Sequence, residues 1–173
     1  VHIFNPPQGY MQNCNVSPEN MMPDSPFSEE RYLTDIFNVG DWEVNNPRGI
    51  RTLQLLDNDD SITRDEAIAI VLDVHDIQAE RWQNELRAAV DAEGRESMKS
   101  QEFAAAVEAI LGWDGEFTPQ ATATSLYKFW RLKCGDKIDL APMAEGKHLE
   151  PADQRQVLAL LQETIDEMKK QYG

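Results

Sequence analysis

The chain is poor in cysteine, histidine and positive charge, and each shortage excludes a class of protein. Its 173 residues include two cysteines and three histidines. His2, His75 and His148 share no metal-ligand spacing with one another or with a cysteine. Cys14 and Cys134 can pair, but two thiols this far apart define no disulfide framework. A net charge of −15 argues against binding to nucleic acid phosphates or anionic membranes.

Long apolar runs and common active-site motifs are also absent from the sequence. No apolar run approaches the roughly 20 residues that span a bilayer. The N-terminus lacks the basic-then-apolar pattern of a signal peptide. There is no G-x-S-x-G elbow, phosphate loop or dinucleotide fingerprint. Because the chain starts at Val1 without an initiator methionine, we expect a cleavage product or an excised fragment.

What is present predicts a mainly α fold with a short extended N-terminal arm. Residues 1–27 are irregular, polar and rich in proline, and residues 2–4 suit a short strand. From residue 28 to residue 173 the apolar residues follow helical spacing. With 41% hydrophobic residues the chain can bury a core. We therefore predict an arm over 1–27 and a helical region over 28–173, as a single domain or a fragment of a larger one.

Capping residues and prolines mark the predicted helix starts. Ser28 is a suitable N-cap, residues 63–66 form a capping box, and Pro47, Pro119 and Pro151 suit the first helical turn. The side chains expected to face inward are Tyr32, Leu33, Ile36, Phe37, Ile50, Leu53, Leu56, Ala67, Ile70, Val71, Val74, Trp82, Leu86, Val90, Phe103, Val107, Ile110, Leu111, Leu126, Phe129, Trp130, Val157, Leu160, Leu161, Ile165 and Met168. His75 is expected near a helix end, where a cation is favoured.

The acidic stretch 57–63 has some of the spacing of a calcium loop. Oxygen-bearing side chains occupy the first, third, fifth and seventh positions of an EF-hand. The sixth position, which needs glycine, is Ile62, and the twelfth, which needs a bidentate glutamate, is Ile68. We interpret the stretch as a polar turn before a capped helix, and we predict no metal site in this chain.

Residues 5–18 differ most from a core-building segment. They combine prolines, a glycine, a tyrosine and three asparagines without a periodic apolar face. Such composition is typical of loops that hold backbone and amide groups in fixed places around a ligand. An ordinary strand leading into a loop remains an equal alternative at this point.

The pattern N-P-x-x-G-Y-x-x-N-x-N-x-x-P of residues 5–18 resembles the β-chain of the penicillin acylase family. These are N-terminal nucleophile amidohydrolases, which include acyl-homoserine-lactone and aculeacin-type acylases. Residues 46–51, 60–63 and 113–130 are similar to the family's continuation. The resemblance therefore covers essentially the whole chain. It implies the helical part of the β-chain of an αββα hydrolase.

The resemblance also implies roles for individual residues. In the family, autoproteolysis frees an N-terminal serine nucleophile whose own α-amino group helps deliver the proton. Asn15 then corresponds to the oxyanion-hole donor, and Arg48 to an arginine that supports the active site. Cys14 would border the acyl pocket, while Asn13 would hold the backbone of the loop. For Arg48 the alternative is a salt bridge on the helix surface.

The chain departs from the family pattern because Val1 cannot be the nucleophile. The resemblance thus implies a fragment that is inactive alone, within a parent protein that hydrolyses a linear amide. Its partners would be the remaining segments or chains of the processed acylase and a small acyl amide substrate. We expect no cofactor in the fragment; for a structural calcium of the parent, Asp24 stays open as a ligand. The family resemblance alone suggests an autoproteolytic zymogen of antibiotic metabolism, periplasmic or secreted.

Two other functions remain open at this stage. The chain could be a non-catalytic helical module whose asparagine- and proline-rich loop grips a peptide or a protein. It could also be a relative of the acylases that kept the fold and lost the chemistry.

Overall fold

The computed structural model describes residues 3–27, 46–94, 98 and 100–172. Within this part the chain forms seven α-helices and no strand, which confirms the mainly α fold class. The helices are α1 (Pro47–Asp57), α2 (Arg64–Val71), α3 (Ala79–Glu93), α4 (Gln101–Leu111), α5 (Ala123–Lys137), α6 (Ala141–Ala144) and α7 (Pro151–Tyr172). None of the described helices combines the length and the apolar character that crossing a membrane requires.

The chain divides into two compact units, Val1–Asp73 and Val74–Gly173. The predicted boundary at residue 28 and the helix predicted from Ser28 fall within residues 28–45, outside the described residues, and stay predictions. The strand predicted at residues 2–4 is not formed at Ile3 or Phe4, which lie in irregular backbone.

Caps explain where several helices begin. The Thr63 side chain accepts from the backbone N–H of Glu66, whose carboxylate accepts in return from the N–H of Thr63. This is the predicted capping box. Ser100 caps α4 in the same way by accepting from the N–H of Phe103. The helix predicted to open at Pro119 begins only at Ala123, because residues 118–121 close a turn first.

The hydrophobic core of the second unit lies among α3, α4, α5 and α7. The most deeply buried side chains include Trp130, Tyr127, Leu86, Ile110, Leu160, Leu161, Val107, Val157, Thr164 and Cys134. Phe129 was predicted to face inward, but it is 44% exposed. The reason is helical geometry: the buried face of α5 runs through residues 123, 127, 130 and 134, and residue 129 lies off that face.

Polar side chains at the edge of this core also have partners. The Trp130 indole donates to the carbonyl of Val157 at 3.1 Å. The Tyr127 hydroxyl donates to Asp76 at 3.1 Å, and Arg131 pairs with the same carboxylate at 2.6 Å. Burial and the neighbouring Asp76 charge raise the pKa of Tyr127 well above its usual value. The second unit is therefore a close-packed helical body in which Asp76 binds both Tyr127 and Arg131.

Two predictions near the junction of the units are wrong. On and just after α2, Ala67, Val71 and Val74 were predicted to face inward but are exposed, Val71 to 83%, so the apolar spacing there does not indicate a buried face. His75 is not at a helix end, since α2 stops at Val71. Instead His75 forms an isolated bridge with Glu116, and its ring Nδ1 lies 3.0 Å from the Glu116 carboxylate.

Candidate functional site

The loop that carries the predicted site residues begins with a tight turn. The N–H of Gly9 donates to the carbonyl of Pro6 at 2.8 Å, and Gly9 has a φ of 81° that glycine adopts without strain. Tyr10 follows, and its hydroxyl donates to Asp57 at the end of α1 at 3.0 Å. Partial burial and the Asp57 carboxylate raise the pKa of Tyr10 to about 12. The first half of the loop is thus attached to the C-terminus of α1.

Gln12 holds the middle of the loop from inside. It is 5% exposed, and its amide Nε2 donates to the carbonyl of Asn20 at 2.8 Å. Its Oε1 accepts from the backbone N–H of Cys14 at 2.8 Å, and its own N–H donates to the carbonyl of Met21. One buried side chain therefore connects the two arms of the loop and places residue 14.

Asn13 and Asn15 complete the turn. The Asn13 Oδ1 accepts from the backbone N–H of Asn15 at 3.2 Å, so Asn13 holds the loop's own backbone as predicted. Asn15 has a φ of 57°, in the left-handed region that asparagine tolerates better than most residues. This conformation leaves the Asn15 side chain exposed at the tip of the turn.

The structure brings Asn15 and Arg48 together. Arg48 lies in the first turn of α1, and its Nη2 donates to the Asn15 Oδ1 at 3.0 Å. The same Nη2 lies 3.5 Å from the carbonyl oxygen of Cys14. In the described part of the chain Arg48 has no carboxylate partner, so its contacts are with the loop.

This contact fixes the orientation of the Asn15 amide. A guanidinium group can only donate hydrogen bonds, so the atom that faces Arg48 must be the acceptor Oδ1. The Asn15 Nδ2 therefore points away from Arg48, and among the described residues it has no hydrogen-bond partner. The arrangement presents a neutral donor, with a fixed positive charge behind it, at an exposed position. Such an arrangement favours negative charge on whatever the Nδ2 faces.

Cys14 directly precedes Asn15, and its side chain contacts a different part of α1. Its side chain is half-buried, and its Sγ lies 3.4 Å from the Oγ1 of Thr52. Cys14 and Cys134 are both free thiols, and burial raises the pKa of Cys134 to about 12. The predicted place of Cys14 beside an acyl pocket stays a prediction.

The acidic stretch 57–63 acts as a turn. The Asp59 Oδ1 accepts from the N–H and the hydroxyl of Ser61, at 2.8 and 3.2 Å. Among the described residues no group of three or more histidine, cysteine or acidic side chains is placed to hold a metal ion. Asp24 is exposed, and its place as a calcium ligand of the parent protein stays a prediction.

Two residues of the site were missed by sequence reasoning. Gln12 was overlooked because a single polar residue in a loop gives no sign that it is buried. Asn46 was singled out only as part of the family-like stretch 46–51, yet it caps α1 and its Nδ2 also donates to the carbonyl of Cys14 at 2.7 Å. A cap that is an amide, where a hydroxyl or carboxylate would suffice, was the available signal.

A loop that presents an oriented amide donor beside a guanidinium is the kind of site that stabilises an oxyanion during acyl transfer. The family model that matches this chain describes penicillin amidase and covers residues 1–172. The chain therefore belongs to the penicillin amidase family, a family of amide hydrolases. A search of curated proteins gave no match. The family predicted from residues 5–18 is thus confirmed.

Proposed function

We propose that this chain forms one wall of the oxyanion hole of a linear-amide hydrolase, with Asn15 as the donor. The observation that carries the proposal is the 3.0 Å contact from Arg48 to the Asn15 Oδ1. It directs the Nδ2 outward, where a substrate oxygen can meet it. Membership of an amidase family supports the same chemistry.

In the proposed reaction Asn15 has one task, which is to donate a hydrogen bond to the oxyanion. A serine oxygen adds to the amide carbon, its proton passes to the α-amino group, and the carbonyl oxygen becomes an oxyanion. When the electrons return, the carbon–nitrogen bond breaks and the amine leaves with that proton. Water then releases the carboxylic acid through a second oxyanion. At both stages the Asn15 Nδ2 donates to the charged oxygen, and an amide keeps this proton at every working pH.

Arg48 acts through Asn15 in this proposal. Its guanidinium holds the Oδ1, polarises the amide and adds positive potential behind the donor. Because it also approaches the carbonyl of Cys14, it fixes the side chain and the backbone of the loop together. A lysine carries one compact charge on a flexible stem and lacks the planar, rigid donor geometry of a guanidinium.

The rest of the machinery is proposed to lie outside these 173 residues. We infer that the nucleophile is a serine freed by autoproteolysis from a zymogen, and that further segments of the processed enzyme complete the acyl pocket beside Cys14. A role in antibiotic metabolism and a periplasmic or secreted location belong to the same proposal. A serine-exposing cleavage site and a signal peptide in the upstream gene sequence would support these parts of it.

Substitutions of Asn15 in the complete processed enzyme test the proposal. Asn15→Gly tolerates the left-handed backbone and removes the donor, so kcat should fall roughly 10²–10³-fold with KM little changed. Asn15→Asp keeps the contact with Arg48 but places a carboxylate against the oxyanion, so the loss should be larger still. Asn58→Asp, the same change at an exposed residue of the same unit, is the matched control. Near-normal turnover of a chromogenic amide by Asn15→Gly would remove Asn15 from the site.

Substitution of Arg48 should lower kcat less than substitution of Asn15 does, again with KM little changed. Arg48→Ala should lower kcat about 10-fold or more, since the amide is then free to rotate. Arg48→Lys should recover only part of the loss. Arg64→Ala removes an exposed arginine from α2 and serves as the control. An unchanged kcat for Arg48→Ala would return Arg48 to a surface role.

One observation favours a second function. Ile68, Val71 and Leu72 are large apolar side chains that are 46%, 83% and 68% exposed on and after α2. A surface of this kind often contacts another polypeptide, as expected of a helical binding module or of an acylase relative that lost its chemistry. The discriminating measurement is turnover of a panel of linear amides by the purified complete protein, because either alternative predicts none.

A further inference from the structure

Asn46 connects the start of α1 to the peptide that carries Asn15. Its Oδ1 accepts from the backbone N–H of Gly49 at 2.9 Å, which caps the helix. Its Nδ2 donates to the carbonyl of Cys14 at 2.7 Å and lies 3.4 Å from the carbonyl of Asn15. The two halves of one amide therefore face two different elements. Both contacts assign the Asn46 amide in the same way: the atom facing the Gly49 N–H must be the acceptor Oδ1, and the atom facing the carbonyls must be the donor Nδ2.

Helix capping does not by itself require this side chain. Aspartate, serine and threonine cap a helix about as well as asparagine, because capping uses an acceptor. The bonds to Cys14 and Asn15 use the donor half, which aspartate lacks. The donor half is thus explained by the loop and not by the helix.

The direction of the Asn15 side chain depends on such a restraint of the loop backbone. Asn15 adopts a φ of 57°, and its own side chain is exposed. Carbonyl oxygens 14 and 15 lie on either side of the Asn15 Cα, so holding both sets the direction in which the side chain leaves the backbone. Arg48 holds the far end of that side chain, at Oδ1, at 3.0 Å, while its approach to the Cys14 carbonyl is longer, at 3.5 Å.

We infer that Asn46 is a positioning residue for the Asn15 amide: through the carbonyls of Cys14 and Asn15 it sets where the Nδ2 points. This inference rests on the proposed function, because it gives Asn46 a role only through Asn15. Asn46 touches no reacting atom. A shift of about 1 Å in a catalytic group can cost about 10²-fold in rate, so a residue that sets its position has a measurable effect on turnover.

Two substitutions in the complete processed enzyme distinguish the effect of the Asn46 Nδ2 donor from the effect of helix capping by Oδ1. Asn46→Ser and Asn46→Asp keep an acceptor for Gly49 and remove the amide donor. We expect kcat to fall about 10–100-fold with KM within about 2-fold, and a melting temperature within a few degrees of the wild type. Thr63→Ser makes a comparable cap-to-cap change at α2 and should leave both quantities unchanged. Because Asn46→Asp adds a charge near Arg48 and Asn46→Ser does not, a loss in both variants identifies the donor.

A double substitution distinguishes positioning from a general structural role. If Asn46 acts through Asn15, adding Asn46→Ser to Asn15→Gly should cause no further loss of kcat. A structural role would lower kcat by the same factor in either background, and that result would overturn the inference. So would a normal kcat for Asn46→Ser while Asn15→Gly is impaired, and the proposed function would then stand. Near-normal turnover by Asn15→Gly would remove the proposed function and this inference together.

Discussion

In the loop that carries Asn15, Met22 is the buried apolar side chain, and the other fully buried side chains, Gln12 and Ser17, are polar. In the helical unit the buried set runs from Ala79 to Ile165 and is almost entirely apolar. The loop is held by side chain–backbone hydrogen bonds, whereas α3, α4, α5 and α7 are held by close packing.

The difference follows from what each part must do. Apolar packing is non-directional and resists change in volume, so it suits a scaffold. Hydrogen bonds are directional, and an unmet one leaves a buried group unsatisfied, so they define the position of individual atoms. In the proposed function the loop aims one amide group, which needs the second kind of restraint. The contrast between the units therefore predicts different responses to substitution.

The largest effect on stability is expected in the core of the second unit. Leu161 is fully buried, so Leu161→Ala removes packed methyl groups and leaves a cavity. The free energy of unfolding should fall by about 2–5 kcal/mol, measured by urea denaturation followed by circular dichroism. Leu72→Ala, at a side chain that is 68% exposed, should change it by less than about 0.5 kcal/mol. Equal effects of the two variants would contradict a packed core.

In the loop, a substitution should be destabilising when it removes a hydrogen-bonding group, even if the volume of the side chain is kept. Gln12→Met keeps the length of the side chain but leaves the Asn20 carbonyl and the Cys14 N–H without their partner. We expect a cost of about 1–3 kcal/mol, and faster amide hydrogen exchange at Cys14. If Gln12→Met exchanged at Cys14 as slowly as the wild type, packing and not hydrogen bonding would hold the loop.

The smallest effect concerns pH. The pKa of Tyr10 is raised to about 12, chiefly by burial and then by Asp57. A raised pKa means that the folded state favours the neutral phenol. The contribution of Tyr10 to the free energy of unfolding is therefore complete below about pH 10, the ordinary pKa of tyrosine. It is lost as the pH rises through about 12. Tyr10→Phe should remove this part of the alkaline loss of stability. Tyrosinate absorbance that reports only ordinary pKa values would contradict it.

Much of the scaffold could be predicted because helices leave local signals. The capping box at Thr63, the proline at Pro151 and the spacing of Trp82, Leu86 and Val90 all correspond to the structure. The errors arise where a local signal is ambiguous. Val71 has helical spacing but is exposed, and Phe129 is one position off its helix face.

The candidate site was predictable by resemblance and only in part by physics. Residues 5–18 identify Asn15 as a candidate, and the first turn of α1 contains Arg48. That these two side chains meet depends on contacts between positions 33 residues apart. Burial of Gln12 and the double use of Asn46 depend on the folded loop, and no periodicity in the sequence encodes them.

The central claim is that the Asn15 Nδ2 stabilises an oxyanion. Its most direct test is the affinity of the complete processed enzyme for a trifluoromethyl ketone, which forms a tetrahedral adduct with a serine nucleophile. In Asn15→Gly this affinity should fall by about the same factor as kcat/KM, roughly 10²–10³, while affinity for the carboxylate product stays nearly constant. Unchanged affinity for the ketone would contradict the claim.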